Sequence, residues 1–122
     1  MIALVKNYKL GVCRGHRPGP VRTLDFVVET RDDRRVDRVY IHFFEKPQAY
    51  PGFFNQANNT VAFFLPMSDF DDVCALLEGP DDVFVSWVDD SEHNLVWAEI
   101  TTSEHALEPA ATLAGNRSKD SD

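Results

Sequence analysis

The clearest pattern of hydrophobic and polar positions lies between residues 36 and 45. Val39, Ile41 and Phe43 alternate there with Arg38, Tyr40, His42 and Phe44. Because successive side chains of a β-strand point to opposite faces, the pattern predicts a strand with one face in the core. A polar stretch at residues 31–35 separates it from a run rich in Val, Thr and Phe at residues 21–30. We expect these two runs to form a hairpin.

Four further runs predict strands. Residues 2–12 are largely apolar and end at a segment rich in Gly and Pro, and residues 60–65 are continuously apolar after Thr60. Residues 83–88 and 95–102 are rich in β-formers and are joined by a charged segment at residues 89–94. The last two runs therefore predict a second hairpin with an exposed turn.

One helix is predicted between residues 69 and 78. Phe70, Val73, Cys74 and Leu77 fall at i, i+3, i+4 and i+7, which places them along a single stripe of a helix. Ser68 and the acidic residues near it are typical of a helix start, and Gly79-Pro80 is typical of a helix end.

The order β-β-β-β-α-β-β predicts an α+β fold with a mostly antiparallel sheet and one short helix packed on it. A strongly bent sheet or a partly open barrel is the alternative arrangement of the same elements. We expect residues 1–102 to form a single globular domain. Residues 103–122 lose the apolar periodicity and are predicted to be a partly or wholly disordered tail.

Composition favours a cytoplasmic protein. Apolar residues make up 43% of the chain, enough for a packed core, yet no apolar run approaches the roughly 20 residues that cross a bilayer. The N-terminal segment lacks the pattern of a signal peptide. Cys13 and Cys74 suggest no disulfide framework. We therefore expect no membrane association.

Charge is divided unevenly along the chain. Residues 1–46 carry ten Lys and Arg against six Asp and Glu, whereas residues 47–122 carry two against fourteen. This asymmetry has three explanations: a basic binding face, a basic surface that meets the acidic half of its own chain, or complementary faces of a self-assembling protein.

Sequence motifs for catalysis and cofactor binding are missing. The histidines at 16, 42, 93 and 105 are scattered, and neither a zinc pattern nor a nucleotide-binding glycine pattern occurs. No serine or cysteine nucleophile has a base at a recognised spacing. We expect no metal and no cofactor, although a small-substrate enzyme centred near His42 or the loop from Cys13 to Arg17 remains an alternative.

The first candidate site is the sheet face that carries Arg38, Tyr40, His42 and Phe44. Neighbouring strands could extend it with Lys6, Tyr8 and Arg22, giving the cations and rings of a single-stranded nucleic-acid surface. An isoelectric point near 4.8 argues against nucleic acid. The alternative is that this face lies under the helix or in a dimer interface.

Residues 13–19 add a possible anion site. Arg14, His16 and Arg17 stand there among glycines, so that backbone amides and cations could cradle an anion. An ordinary solvated turn is the alternative.

The second candidate site is the long connection between residues 47 and 60. It combines aromatic and amide side chains that could bind a small polar ligand or a protein partner: Tyr50, Phe53, Phe54, Asn55, Gln56 and Asn58. The alternative is that the rings fix the loop to the core while the amides satisfy its backbone.

The sequence thus favours a non-catalytic binding or protein-interaction module that forms a homodimer. Single-stranded nucleic-acid binding is the disfavoured alternative, and the small-substrate enzyme comes third.

Overall fold

The computed structural model describes residues 1–12 and 19–102. Seven strands and one helix follow one another along the chain: β1 (Ile2–Val12), β2 (Arg22–Thr30), β3 (Arg38–Phe44), β4 (Gly52–Asn55), β5 (Thr60–Pro66), α1 (Phe70–Glu78), β6 (Phe84–Asp89) and β7 (Leu95–Thr101). A 3-10 turn, Met67–Asp69, leads into α1. The predicted α+β class and element order are confirmed, with β4 as one additional strand.

All seven strands form one sheet in the order β4-β5-β3-β2-β1-β6-β7. Every neighbouring pair is antiparallel except β3 and β5, which run parallel. The two edge strands approach each other through a bridge between Phe53 and Asn94, and the Phe54 N–H donates to the His93 carbonyl at 2.8 Å. The sheet therefore curls into a nearly closed barrel, which agrees with the predicted alternative of a strongly bent sheet or partly open barrel.

The core fills the inside of this barrel. Val39, Ile41 and Phe43 of β3 are fully buried, as their alternation predicts. Trp87 of β6 is also buried, with its ring 6.2 Å from that of Phe63 in a T-shaped arrangement. Side chains on the inner faces of β3 and β5 thus pack across the barrel against those of β6.

Helix α1 packs on inner-face side chains through the predicted stripe. Phe70 and Val73 are buried, while Cys74 and Leu77 are partly buried against the core. The Phe70 ring lies 5.0 Å from that of Phe43 at 84°. Helix α1 therefore lies on the side of the sheet opposite to Tyr40 and His42.

Strand β4 lies within the connection that the sequence left without an element. Gly52 opens it with a φ of 146°, and a Cβ at this position would lie 1.8 Å from the Ala62 carbonyl oxygen. Only glycine allows β4 to approach β5 so closely there. The missing side chain is therefore what lets this short edge strand form.

Residues 103–122, for which a disordered tail was predicted, lie outside the described residues. Within the described parts of the chain, no helix has the length and apolar character that a membrane span requires.

Candidate binding surface

Five aromatic rings come together on the outer face of β3, β5 and β4. We call them the aromatic surface: Tyr40, His42, Phe44, Phe53 and Phe64. Strand register explains their meeting, because His42 lies opposite Phe64, and Ala62 lies opposite both Tyr40 and Phe53. Residues directly opposite each other in neighbouring strands share a face of the sheet.

Phe64 is the centre of the aromatic surface. Its ring centroid lies 5.4 Å from that of Phe44, 5.8 Å from that of Phe53 and 5.9 Å from that of His42. Tyr40 extends the cluster by stacking on His42, with centroids 6.4 Å apart and an interplanar angle of 22°. Phe53 is exposed, at 41%, whereas the other four side chains are half-buried. They form one continuous surface.

A small residue lies within this surface. Ala62 stands between Tyr40 on one neighbouring strand and Phe53 on the other. It is only 6% exposed, so neighbouring side chains cover its methyl group.

An ion pair borders the aromatic surface on the β2 side. Arg38 Nη1 donates to Asp25 Oδ2 at 2.7 Å, and this contact raises the pKa of Arg38. The other carboxylate oxygen, Asp25 Oδ1, is buried without a hydrogen-bond partner. The arginine that the sequence offered as a cation for nucleic acid is thus already neutralised by a carboxylate.

His42 is uncharged at neutral pH. Burial lowers its pKa below the ordinary value of 6.5, and its Nδ1 is buried without a hydrogen-bond partner. A cavity of about 220 Å³ next to His42 and Tyr40 is lined on its other side by Lys9, Gly11 and Thr23. The imidazole therefore contributes a neutral, aromatic side chain to the surface.

Arg22 and Tyr8, which the sequence placed beside these residues, lie on the opposite face. Arg22 stands opposite Phe43, and its guanidinium carbon lies 4.6 Å from the Phe70 ring centroid. Tyr8 stands opposite Phe26, with ring centroids 6.5 Å apart. Because successive side chains of a strand point to opposite faces, both residues point away from the aromatic surface. Arg14, His16 and Arg17 lie outside the described residues.

Of the candidates in the long connection, Phe53 alone joins the aromatic surface. Phe54 points inward and is buried. Asn55 Oδ1 accepts from the Ala57 N–H at 3.0 Å, and Asn58 Oδ1 accepts from the Thr60 hydroxyl at 2.6 Å. These amides therefore stabilise the β4–β5 turn. Two exposed residues stand apart from the rings, Tyr50 before β4 and Gln56 in the turn.

Two features of the structure could not be predicted from the sequence. Phe64, the central ring, sits in a continuously apolar run in which no alternation marks it as outward-facing. Arg34 and His93 both bond to the Asp89 carboxylate although the sequence gives no motif for them. That cluster fastens the end of the barrel where β4 meets β7.

Clearly shifted pKa values also occur away from the aromatic surface and its bordering ion pair, at Cys74, Asp89 and Glu99. Burial raises the pKa of the Cys74 thiol, which keeps it protonated. The bonds from His93 and Arg34 outweigh burial and lower the pKa of Asp89. Among the described residues, no three His, Cys, Asp or Glu side chains stand close enough to hold a metal ion.

Comparison of the chain with models of protein families, with curated proteins and with solved structures found no match.

Proposed function

We propose that this protein is a non-catalytic interaction domain that binds a protein partner through the aromatic surface. The observation that carries the proposal is the continuous contact of five rings on a sheet face that no described helix or strand covers. Aromatic side chains are enriched in protein interfaces, where they contribute a large contact area at a low entropic cost.

Charge supports the same proposal. The chain carries a net charge of −8, yet Asp25, the carboxylate that borders the aromatic surface, is paired with Arg38. Desolvating such a surface is less costly than desolvating unpaired charges.

The ring geometry favours a protein over single-stranded nucleic acid. Bases stack on open ring faces, and they are usually accompanied by free cations for the phosphates. Phe44 and Phe53 instead meet Phe64 at 79° and 68°, so that ring edges and faces are directed at one another. Arg38 is held by Asp25, and the other cation near the rings is Lys9, which lines the cavity beside Tyr40 and His42. Only the Tyr40–His42 pair resembles a stacking platform.

The test is selection of peptides from a phage-displayed random library on the immobilised protein. The selected peptides are then synthesised, and their affinities are measured by fluorescence anisotropy. The variants are Phe53→Ser and, as a control, Val96→Ser, which alters another exposed apolar side chain, on β7. We expect peptides with large apolar side chains, and at least about tenfold weaker binding to Phe53→Ser alone.

Two results would overturn the proposal. One is a selection that enriches no sequence, or that enriches peptides which bind Phe53→Ser as tightly as the wild type. The other is salt-sensitive binding of a labelled single-stranded oligonucleotide that Tyr40→Ala abolishes, because that result would assign the aromatic surface to nucleic acid.

A further inference from the structure

Strand β1 is paired on both sides only near its start. It pairs with β2 from Ala3 to Val12 but with β6 only from Ile2 to Leu4. The Val5 N–H donates to the Val83 carbonyl at 2.9 Å, and beyond it no described strand lies along this edge. Residues 6–12 therefore form an open sheet edge, which we call the β1 edge. The Tyr8 N–H donates to Asn7 Oδ1 at 2.8 Å, and the register with β2 shifts between Val5 and Asn7, so the open backbone groups are those of the remaining residues.

Apolar side chains accompany the β1 edge. Tyr8, Leu10 and Val12 are 42%, 50% and 63% exposed, the last two more than any other leucine or valine of β1–β3. Their partners in β2 include Phe26 and Leu24, so all three lie on the inner face of the sheet. Exposed apolar side chains at alternate strand positions are typical of a sheet that continues into another chain.

A small cavity lies between the β1 edge and helix α1. It measures about 90 Å³, and its walls include Tyr8 and Leu10 of β1 with Cys74, Leu77 and Glu78 of α1. A strand added at the β1 edge would direct its alternate side chains toward this cavity and would cover the three exposed residues. An extended strand would thus both pair with the open backbone groups and cover the exposed apolar side chains.

Charge distinguishes the two ends of the β1 edge. The end at Val5 is next to the turn that joins α1 to β6, which carries Asp81 and Asp82. Toward the Val12 end, Lys9 lies on β1 and Arg22 stands opposite Val12, while Asp25, opposite Lys9, is paired with Arg38. Lys6, close to the acidic turn, and Glu78, which lines the cavity beside Leu10, are exceptions.

This distribution of charge along the β1 edge is complementary to that of a second copy in the reverse orientation. In an antiparallel pair, the Val12 end of one strand lies beside the Val5 end of the other. The basic end of each copy would therefore meet the acidic end of its partner, and the apolar face of each would continue that of the other. Such a pairing is isologous, which is the usual symmetry of a homodimer.

We propose that the β1 edge pairs with the β1 edge of a second copy of this chain, antiparallel about a two-fold axis, to form a homodimer. The two barrels would then share one continuous sheet. This contact lies two strands away from β3 of the aromatic surface, although Lys9, Leu10 and Gly11 also line the cavity beside Tyr40 and His42.

Sedimentation velocity over a concentration series tests the dimer. We expect a dimer for the wild type and a monomer for Leu10→Asp, because a carboxylate on the inner face would be buried between the copies. Val96→Asp is the matched control, since it places the same charge at an exposed apolar position on β7. Near-ultraviolet circular dichroism verifies that each variant keeps its packed core. A monomeric wild type, or a dimer that Leu10→Asp leaves intact, overturns the proposal.

Disulfide cross-linking tests the geometry independently of any destabilised variant. Single cysteines are placed at each of residues 7–10 in turn, in a chain in which Cys13→Ser and Cys74→Ser remove the native thiols. Antiparallel pairing predicts efficient oxidation to a covalent dimer at one or two neighbouring positions and little at the others, because disulfide formation requires Cα atoms within about 7 Å. Equal cross-linking at all four positions, or none, overturns the antiparallel arrangement.

The Phe53→Ser variant distinguishes dimerisation through the β1 edge from binding at the aromatic surface. Phe53→Ser should leave the dimer unchanged even if it abolishes peptide binding. Loss of the dimer in Phe53→Ser, with cross-linking absent at residues 7–10, would move the contact to the aromatic surface and overturn the assignment to the β1 edge.

Discussion

Arg34 donates to both carboxylate oxygens of Asp89, at 3.0 Å each, across 55 positions of sequence. The carboxylate is 8% exposed, and its Oδ2 also lies 3.1 Å from His93 Nδ1. The same guanidinium carbon stands 4.7 Å from the centroid of the Phe54 ring in β4. One arginine thus connects the β2–β3 turn to β4 and to the end of β6.

Replacement of this arginine should destabilise the barrel. Arg34→Met removes both bonds from a buried carboxylate, and we expect a loss of about 2 kcal/mol in the free energy of unfolding. Arg35→Met is the matched control, because Arg35 pairs with Asp37 in solvent. Exposed ion pairs contribute less than about 1 kcal/mol. Urea denaturation followed by tryptophan fluorescence measures both, and equal losses would contradict the role given to Arg34.

His42 should make the protein less stable in mild acid. Burial lowers its pKa in the folded state, so the unfolded chain binds the proton more tightly. Folding stability is therefore lost progressively as the pH falls below the ordinary value of 6.5. His42→Gln removes this titration, and its unfolding free energy should decrease less than that of the wild type between about pH 7.5 and about pH 5.5. Parallel decreases in the two proteins would contradict the prediction.

Glu99 should have the opposite dependence on pH. Burial raises its pKa above the ordinary value of 4.5, and Oε1 is buried without a hydrogen-bond partner. The charged form is therefore disfavoured in the folded protein, and stability is lost as the pH rises through the raised value. Glu99→Gln should raise the melting temperature at about pH 7 and lose that advantage at about pH 4. An unchanged melting temperature at neutral pH would contradict it.

Gly52 should tolerate no side chain. Gly52→Ala places a Cβ against the Ala62 carbonyl and strains a backbone with φ of 146°, so we expect a loss of at least about 2 kcal/mol. Gly79→Ala is the matched control, because φ is −76° there and the nearest heavy atom to the new Cβ would be 3.5 Å away. Thermal unfolding of the two variants distinguishes them. Comparable melting temperatures would show that β4 does not depend on this glycine.

The sequence predicted those elements whose pattern is local. Alternation in β3 and the helical stripe in α1 reflect burial on one face, which a single segment already reveals. Strand β4 was missed because it has only four residues and opens at Gly52, a residue that usually marks a loop. Its pairing depends on contacts with β5 and β7 that no local pattern encodes.

The candidate site was predicted in part for the same reason. Tyr40 and His42 were placed together because they share one strand, but Phe53 was assigned to a different site and Phe64 to none. Their meeting is set by the register between strands. Arg22 was grouped with Tyr40 although parity places it on the other face, because a shift of one residue exchanges the faces and sequence alone does not determine it.

The parallel pairing of β3 with β5 has a consequence for the rate of folding. Two parallel strands cannot be joined by a tight turn, so a long connection, residues 45–59, must return to the start of β3 for Arg38 to pair with Thr60. The Phe53–Asn94 bridge joins residues still further apart along the chain. Such contacts carry a loop-closure cost that is paid before any interaction compensates it, and we therefore expect this domain to fold in milliseconds to seconds, far more slowly than a helical protein of equal length.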